Sequence, residues 1–335
     1  MPTSVVLGTG HCVPERIVTN DDLARLFDTS DAWIRERTGI EQRRWVPDEG
    51  GTGGSDLATE AARTALQAAG LGPADVDMIV YATLSPDHFF PGDGCFLQAK
   101  LDVPAGVPAL DVRNQCSGFL YGLAVTDSFI RSGSYQHVLL VGAEVHSTGL
   151  DRSNLGRDVT VLFGDGAAAV VLGANDSGDG RGILATELHA DGRHAKVLWT
   201  DAPSCVDRGR MTVEQIQARR HFAEMSGRRV FKHAIECMPA ALHSVLGKCG
   251  LAVADIDLLI THQANLRICE AVQKQLGLRD DQVFNNIMRY GNTTAASIPL
   301  ALDECVRAGR IRRGSIVAFA SFGAGFTWGA AVLRW

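Results

Sequence analysis

Cys116 lies in the segment Asn114-Gln115-Cys116-Ser117-Gly118-Phe119, between a short strand pattern and a long apolar helix pattern running to about Gly133. A thiol at that seam is placed like a nucleophile. The unpaired N–H groups and positive dipole end of a helix N-terminus favour thiolate over thiol and are expected to draw its pKa below the reference of about 8.5. A buried core cysteine is the alternative, because free Cys is among the most buried residue types. Two further segments carry complementary chemistry: His262 in Thr261-His262-Gln263-Ala264-Asn265, and Asn292 in Tyr290-Gly291-Asn292-Thr293.

A thiolate can take an acyl group from a thioester and leave again afterwards. An imidazole and a carboxamide can both donate hydrogen bonds to the carbonyl oxygen of a second thioester as it loses carbon dioxide and becomes an enolate. The three groups therefore suit carbon–carbon bond formation on thioesters better than peptide hydrolysis. A papain-like Cys/His/Asn set competes, but a bare triplet is weak and the duplicated architecture argues against it.

The duplication is visible in the elements that must position these residues. Gly70-Leu71-Gly72-Pro73-Ala74-Asp75-Val76-Asp77 recurs as Gly250-Leu251-Ala252-Val253-Ala254-Asp255-Ile256-Asp257, an offset of 180 residues. Tyr135 to Val141 matches Arg313 to Phe319 at an offset of 178, each after a helix ending in a left-handed glycine, Gly133 or Gly309, and each before a Gly-Ala-Ala strand. Residues 1–175 are expected to form one half, with the cysteine, and 182–335 the other, with the histidine and asparagine. Strand patterns alternating with helices predict an α/β architecture with helix-covered sheets. The helix after Cys116 is apolar around nearly its whole circumference, so two sheets should sandwich a central helical layer. An offset of 176 pairs Cys116 with Asn292 and Asp127 with Asp303.

Composition excludes other classes. The chain has 335 residues, 46% apolar content and a net charge of −6, which argues against nucleic acid as a main partner. No apolar run approaches the roughly 20 residues of a membrane span, and the start lacks a basic region followed by an apolar stretch, so a soluble, cytoplasmic protein is expected. The eight cysteines show no C-x-x-C pair and the histidines no metal spacing, so most cysteines are expected to be reduced core residues and no metal site is expected. Gly8-Thr9-Gly10 follows a strand, but Val13-Pro14 stands where a third glycine and a helix should be, which discounts a dinucleotide fingerprint.

The chain resembles the β-ketoacyl-acyl carrier protein synthase III family of thiolase-fold condensing enzymes over almost its full length. Carrying the resemblance are Trp33-Ile34-Arg35-Glu36-Arg37-Thr38-Gly39-Ile40, Cys116-Ser117-Gly118-Phe119, Phe163-Gly164-Asp165-Gly166-Ala167, His262-Gln263-Ala264-Asn265, Tyr290-Gly291-Asn292-Thr293 and Phe322-Gly323-Ala324-Gly325-Phe326. It implies a thiolase-like duplicated α/β fold, layered αβαβα, with two pseudo-twofold related halves. It further implies decarboxylative condensation of an acyl-CoA primer with malonyl-acyl carrier protein to start fatty acid synthesis, through an acyl-Cys116 intermediate, with no cofactor beyond the coenzyme A thioester as substrate. His262 and Asn292 would drive decarboxylation, and the N–H groups of Cys116 and Ala324 would form the oxyanion hole. Trp33, Arg37 and Arg157 would hold coenzyme A. Phe90 would reach the partner's acyl pocket in a homodimer, Phe322 would shield the site from water, and Arg228, Arg229, Lys232 and Arg267 would dock the acidic carrier protein.

Two departures bear on the substrate. Asn114-Gln115 replaces the small residues usual before the nucleophile, and, with Leu84-Ser85-Pro86-Asp87-His88 upstream, resembles branches that make alkylquinolones or other special metabolites. The stretch 199–222 is longer and more polar than in the simplest members and is expected to line the acyl channel. A specialised acyl donor or acceptor is therefore the alternative. A degradative thiolase would want a second cysteine where Ser321-Phe322-Gly323-Ala324 stands, and an inactive scaffold is disfavoured by the intact trio.

Overall fold

The computed structural model describes residues 2–206 and 209–335. Two five-stranded sheets follow one plan. The first takes its strands in the order Thr3–Cys12, Gly166–Asn175, His137–Glu144, Met78–Ala82, Ala109–Val112. In the second the order is Gly182–Ala190, Thr327–Arg334, Ile316–Gly323, Leu258–Thr261, Val283–Phe284. Read in those directions, each sheet has two antiparallel pairings followed by two parallel ones. The parallel strands are apolar without alternation, as Met78–Ala82 shows with every residue buried, because helices cover both faces.

Helix Gly54–Ala69 covers the outside of the first sheet through Leu57, Ala58, Ala61, Ala62, Ala65 and Leu66. It approaches the strand Thr3–Cys12 so closely that a Cβ on Gly8 or Gly10 would come within 2.3 or 2.4 Å of the carbonyl oxygens of Ala65 and Ala61. The Gly8-Thr9-Gly10 sequence is thus a helix–sheet packing feature. Helices Gly227–Lys248 and Leu266–Leu276 cover the outside of the second sheet.

Between the sheets lie Gly118–Arg131 and Ser297–Arg307. One apolar cluster joins Phe119, Leu120 and Leu123 of the first helix and Ile298 and Leu302 of the second to Val80 and Leu140 of one sheet and Ile260 and Phe319 of the other. Phe119 and Phe319 meet edge to face at 6.2 Å, an arrangement aromatic pairs favour. The result is the five-layer αβαβα order, with the core in the middle layer.

The repeat holds in detail. Gly70 and Gly250 have φ of 69° and 66°, Gly133 and Gly309 of 75° and 65°, each closing a helix in the left-handed region. Asp127 and Asp303 each pair with an arginine four residues on, Arg131 and Arg307. Ser4 Oγ donates to Asp127 at 2.6 Å and Thr9 Oγ1 to Asp303 at 2.7 Å, so one strand ties both central helices.

One expected correspondence shifts. The short 3-10 turns leading into the central helices open with Gln115 and Thr294, at φ of 44° and 49°. Those positions are 179 residues apart, whereas Asp127 and Asp303 are 176 apart, so the second central helix is about one turn shorter ahead of its aspartate. Cys116 therefore corresponds to Ala295, and Asn292 enters from the preceding loop.

Among the described residues no helix is long and apolar enough to cross a membrane, and no group of three or more His, Cys, Asp or Glu is placed to hold a metal ion. All eight cysteines are free, but only Cys116, Cys269 and Cys305 are buried; Cys95 and Cys205 are exposed, contrary to the expected core placement.

Candidate active site

Cys116 sits in the turn Gln115–Ser117, directly ahead of the central helix and 7% exposed. The C-terminal half holds it from below: Ser321 Oγ donates to the Cys116 carbonyl at 2.7 Å, and Ser117 Oγ donates to the Thr327 carbonyl at 3.0 Å. Gly323 passes so close that a Cβ there would stand 2.5 Å from Cys116 Cβ and 2.9 Å from Sγ. That approach lets the N–H of Ala324, with that of Cys116, hydrogen-bond the sulfur.

The thiol is not acidified by its position. Burial first, and the charge of Glu144 second, push it up to about 12, and the two N–H groups only partly offset them. The expectation from the helix N-terminus fails because desolvation of a thiolate outweighs the dipole when no counter-charge lies nearby. Glu144 is fully buried at the end of its strand and accepts from Ser85 Oγ at 2.6 Å, Thr83 Oγ1 at 3.2 Å and the N–H groups of Leu84 and Ser85. It clamps the turn after Ala82.

His262 follows the strand Leu258–Thr261, held by its own N–H to the Ala320 carbonyl at 2.8 Å. Its Nδ1 meets Ser297 Oγ at 2.7 Å, and its buried Nε2 has no partner. Burial, then the proximity of His146, holds its pKa down to about 3, so the ring is neutral. Asn292 is fixed by its backbone to the first half, with N–H to Leu162 O at 2.8 Å and O from Gly164 N–H at 3.1 Å. Its Oδ1 accepts from Thr294 N–H at 2.9 Å, which leaves the amide NH2 to face outward.

Sequence reasoning missed His146, Thr294, Ser297 and Glu144. His146 Nε2 lies 2.7 Å from Thr294 Oγ1 with its ring 4.7 Å from that of Phe163, and burial lowers its pKa to about 4. The signal available was the polar pair Glu144 and His146, at the end of and just beyond the apolar run 138–143.

Two cavities meet at Cys116. One, of about 590 Å³, is lined by Cys116, His262, Asn292 and Phe322 and extends past Arg37, Arg228 and Arg267. The other, of about 730 Å³, contains Cys116, His146 and Ala324 and runs to Gln115, Trp199 and His221. Phe163 and Leu198 border both.

The remaining expected residues fall outside this centre. Trp33 is half-buried, with the guanidinium groups of Arg37 and Arg157 at 4.4 and 4.5 Å from its ring centroid. Arg228, Arg229, Lys232 and Arg267 are all exposed; Arg229 contacts His194 Nδ1 at 3.2 Å. Phe90 is 73% exposed next to the exposed Phe89, whose ring lies under Arg210. Residues 207–208 of the stretch 199–222 lie outside the described residues.

A thiol, an imidazole and a carboxamide gathered from both halves of a duplicated αβαβα molecule are the setting of a thiolase-fold condensing enzyme. Comparison with known proteins narrows the class. Residues 110–192 match the family model described as 3-oxoacyl-[acyl-carrier-protein] synthase III, and residues 246–335 match the model of its C-terminal part. The β-ketoacyl-[acyl-carrier-protein] synthase III of Rhizorhabdus wittichii is 49% identical over 335 residues, covering 100% of both chains. Among solved structures, the 3-oxoacyl-[acyl-carrier-protein] synthase III of Aquifex aeolicus superimposes with a TM-score of 0.89 at 41% identity, covering 99% of this chain and 100% of that one. The priming β-ketosynthase of a polyketide biosynthetic pathway gives 0.88 at 31% identity, covering 99% and 96%. The chain belongs to the β-ketoacyl-acyl carrier protein synthase III family and is an acyltransferase of the condensing type.

Proposed function

We propose that Cys116 is acylated by an acyl-CoA primer and that His262 and Asn292 then drive decarboxylation of malonyl-acyl carrier protein to an enolate that attacks the acyl-cysteine. The observation that carries this reading is the division of hydrogen bonds at the two donors. Asn292 Oδ1 is taken by Thr294 and His262 Nδ1 by Ser297, so each residue keeps one nitrogen for the cavity shared with Cys116.

In the first half-reaction the sulfur–carbon bond to the acyl group forms, the bond to coenzyme A breaks, and the Cys116 proton leaves with the coenzyme A thiol. The N–H groups of Cys116 and Ala324 stabilise the oxyanion of the tetrahedral intermediate. In the second, the malonyl carbon–carbon bond breaks, carbon dioxide departs, and the electron pair becomes an enolate held by His262 Nε2–H and Asn292 Nδ2–H. The enolate carbon attacks the thioester, and the released thiolate takes a proton from water. A serine hydroxyl can give or take the proton at Nδ1, so Ser297 lets His262 present Nε2 as acceptor to the buried thiol and later as donor to the enolate.

Trp33, Arg37 and Arg157 are assigned to the adenine end of coenzyme A, with the base replacing one stacked guanidinium on the indole. Arg228, Arg229, Lys232 and Arg267 are assigned to the acidic carrier protein at the mouth of the same cavity. We further place the enzyme in the cytoplasm as a homodimer joined at the Phe89–Phe90 face, with Phe322 shielding the thioester from water, and assign it no cofactor. A second reading keeps every catalytic role but replaces the fatty acid primer with a specialised acyl donor, favoured by Gln115 at the nucleophile. Intact-protein mass spectrometry with acyl-CoA donors, then release of carbon dioxide from malonyl-acyl carrier protein, tests the assignment. Acylation absent in Cys116→Ser, and condensation absent in His262→Ala with acylation kept, is the expected pattern; normal condensation by His262→Ala would remove its role.

A further inference from the structure

Asn292 is held through its backbone and through its side chain, and the two holders converge on one imidazole of the other half. The backbone lies along residues 162–164, with its N–H on Leu162 O at 2.8 Å, its carbonyl accepting from Gly164 N–H at 3.1 Å, and a strand-like bridge to Phe163. The side-chain oxygen accepts from Thr294 N–H at 2.9 Å. His146 touches both holders. Its ring lies 4.7 Å from that of Phe163, and its Nε2 lies 2.7 Å from Thr294 Oγ1.

The imidazole projects from a fixed base. His146 N–H donates to Asp165 Oδ1 at 2.7 Å, and the same buried carboxylate accepts from the N–H groups of Ser147 at 2.9 Å and Val46 at 2.8 Å. Thr294, by contrast, stands in a conformation that needs support. Its φ is 49°, and among the described non-glycine residues at positive φ it alone is β-branched. Such a residue crowds its own backbone there, and the strain persists only where the surroundings impose it. That φ is the angle between the peptide whose N–H meets Asn292 and the Cβ that carries the hydroxyl. Segment 162–164 anchors the first through Asn292, and His146 anchors the second. Without the bond to His146 the threonine relaxes, and the N–H that Asn292 accepts moves with it.

We propose that His146 is a positioning residue for the decarboxylation step, fixing the Asn292 carboxamide through Thr294 and Phe163. The proposal rests on Asn292 as the donor to the enolate. It separates the two half-reactions, because acylation depends on the N–H groups of Cys116 and Ala324, which this relay does not include. It also says which replacements serve. A glutamine amide can give a hydrogen bond to the Thr294 hydroxyl or take one from it, whereas leucine fills space and does neither.

The test charges Cys116 with whichever of acetyl-, butyryl- or octanoyl-CoA labels it fastest, isolates the acyl-enzyme, and follows a single turnover with malonyl-acyl carrier protein. Acylation and condensation are thus timed separately in the wild-type protein, His146→Leu, His146→Gln, Thr294→Val, the double variant His146→Leu/Thr294→Val, and Asn292→Ala. His146→Leu and Thr294→Val should each slow condensation about tenfold, less than the loss of about 100-fold for a reacting group displaced by about 1 Å, and slow acylation by about twofold at most. His146→Gln should recover condensation to within about threefold of the wild-type rate. The double variant should lose no more than the worse single one, since both changes break one contact. Equal losses in the two half-reactions, a glutamine variant as slow as the leucine one, or additive losses in the double variant would each overturn the positioning role, as would normal condensation by His146→Leu. If Asn292→Ala is inactive in condensation while His146→Leu is normal, only this inference falls; normal condensation by Asn292→Ala would remove the proposed function of that residue and this inference with it.

Discussion

The backbone N–H of Thr294 donates to Asn292 Oδ1 at 2.9 Å, and this one bond decides which end of the carboxamide faces the cavity it shares with Cys116. With its oxygen occupied, Asn292 can only donate toward the cavity. Asn292→Ala removes a donor to the developing enolate and should lower condensation by about 100-fold or more, the usual cost of an oxyanion donor. Self-acylation should persist, because the Cys116 and Ala324 N–H groups are untouched. Single-turnover acylation and malonyl decarboxylation, measured separately, check this; equal losses in both would mean that Asn292 acts by holding the fold.

The buried thiol of Cys116 gives a second expectation. With its pKa pushed up to about 12, thiolate should rise tenfold per pH unit throughout the accessible range. Iodoacetamide should therefore label the exposed Cys95 and Cys205 first at pH 7.5, and labelling of Cys116 should still be climbing at about pH 10. Peptide mass spectrometry across that range reads the outcome. Preferential labelling of Cys116 at neutral pH would restore the dipole argument and show that burial is outweighed.

The contrast between those arguments marks what the chain makes legible. Helix-ending glycines at 70 and 250, and again at 133 and 309, expose the duplication because a positive φ leaves a local signature. Cys116, His262 and Asn292 stand out because their chemistry is carried by residue type. The sign of the Cys116 shift was not legible, since it depends on what surrounds the sulfur and not on its neighbours in the chain. Nor was the turn missing ahead of Asp303, because matching at one offset cannot show where a helix is shortened. His146 and Ser297 belong to the site through contacts spanning 148 and 35 residues, which no spacing rule encodes.

Gly323 is the clearest steric requirement near the sulfur. In Gly323→Ala the new Cβ would fall 2.5 Å from Cys116 Cβ, so either the turn or the nucleophile must shift. Overpacking of this kind costs about 1–3 kcal/mol, and a displacement of about 1 Å at a reacting atom costs about 100-fold in rate. A urea melt and the acylation rate together test it. A variant that is destabilised yet acylates normally would place the accommodation outside the oxyanion turn.

His146 should make the fold acid-sensitive. Its pKa is lowered by burial from 6.5 to about 4, so between those values the unfolded chain binds the proton that the folded one refuses. Stability from this group is thus complete above about pH 6.5 and is lost as pH falls toward about 4. His262 acts in the same direction, whereas Glu144, raised by burial to about 7, acts oppositely, so the wild-type slope alone is ambiguous. Substitution isolates the term. Between pH 7 and pH 5 the wild-type protein should lose about 2 kcal/mol more than His146→Phe, measured by urea denaturation at each pH. Because Thr294 also loses its partner in the variant, absolute stability will fall at every pH, but only titration of the imidazole changes the slope. Parallel slopes in the two proteins would mean that His146 carries its proton in the folded state.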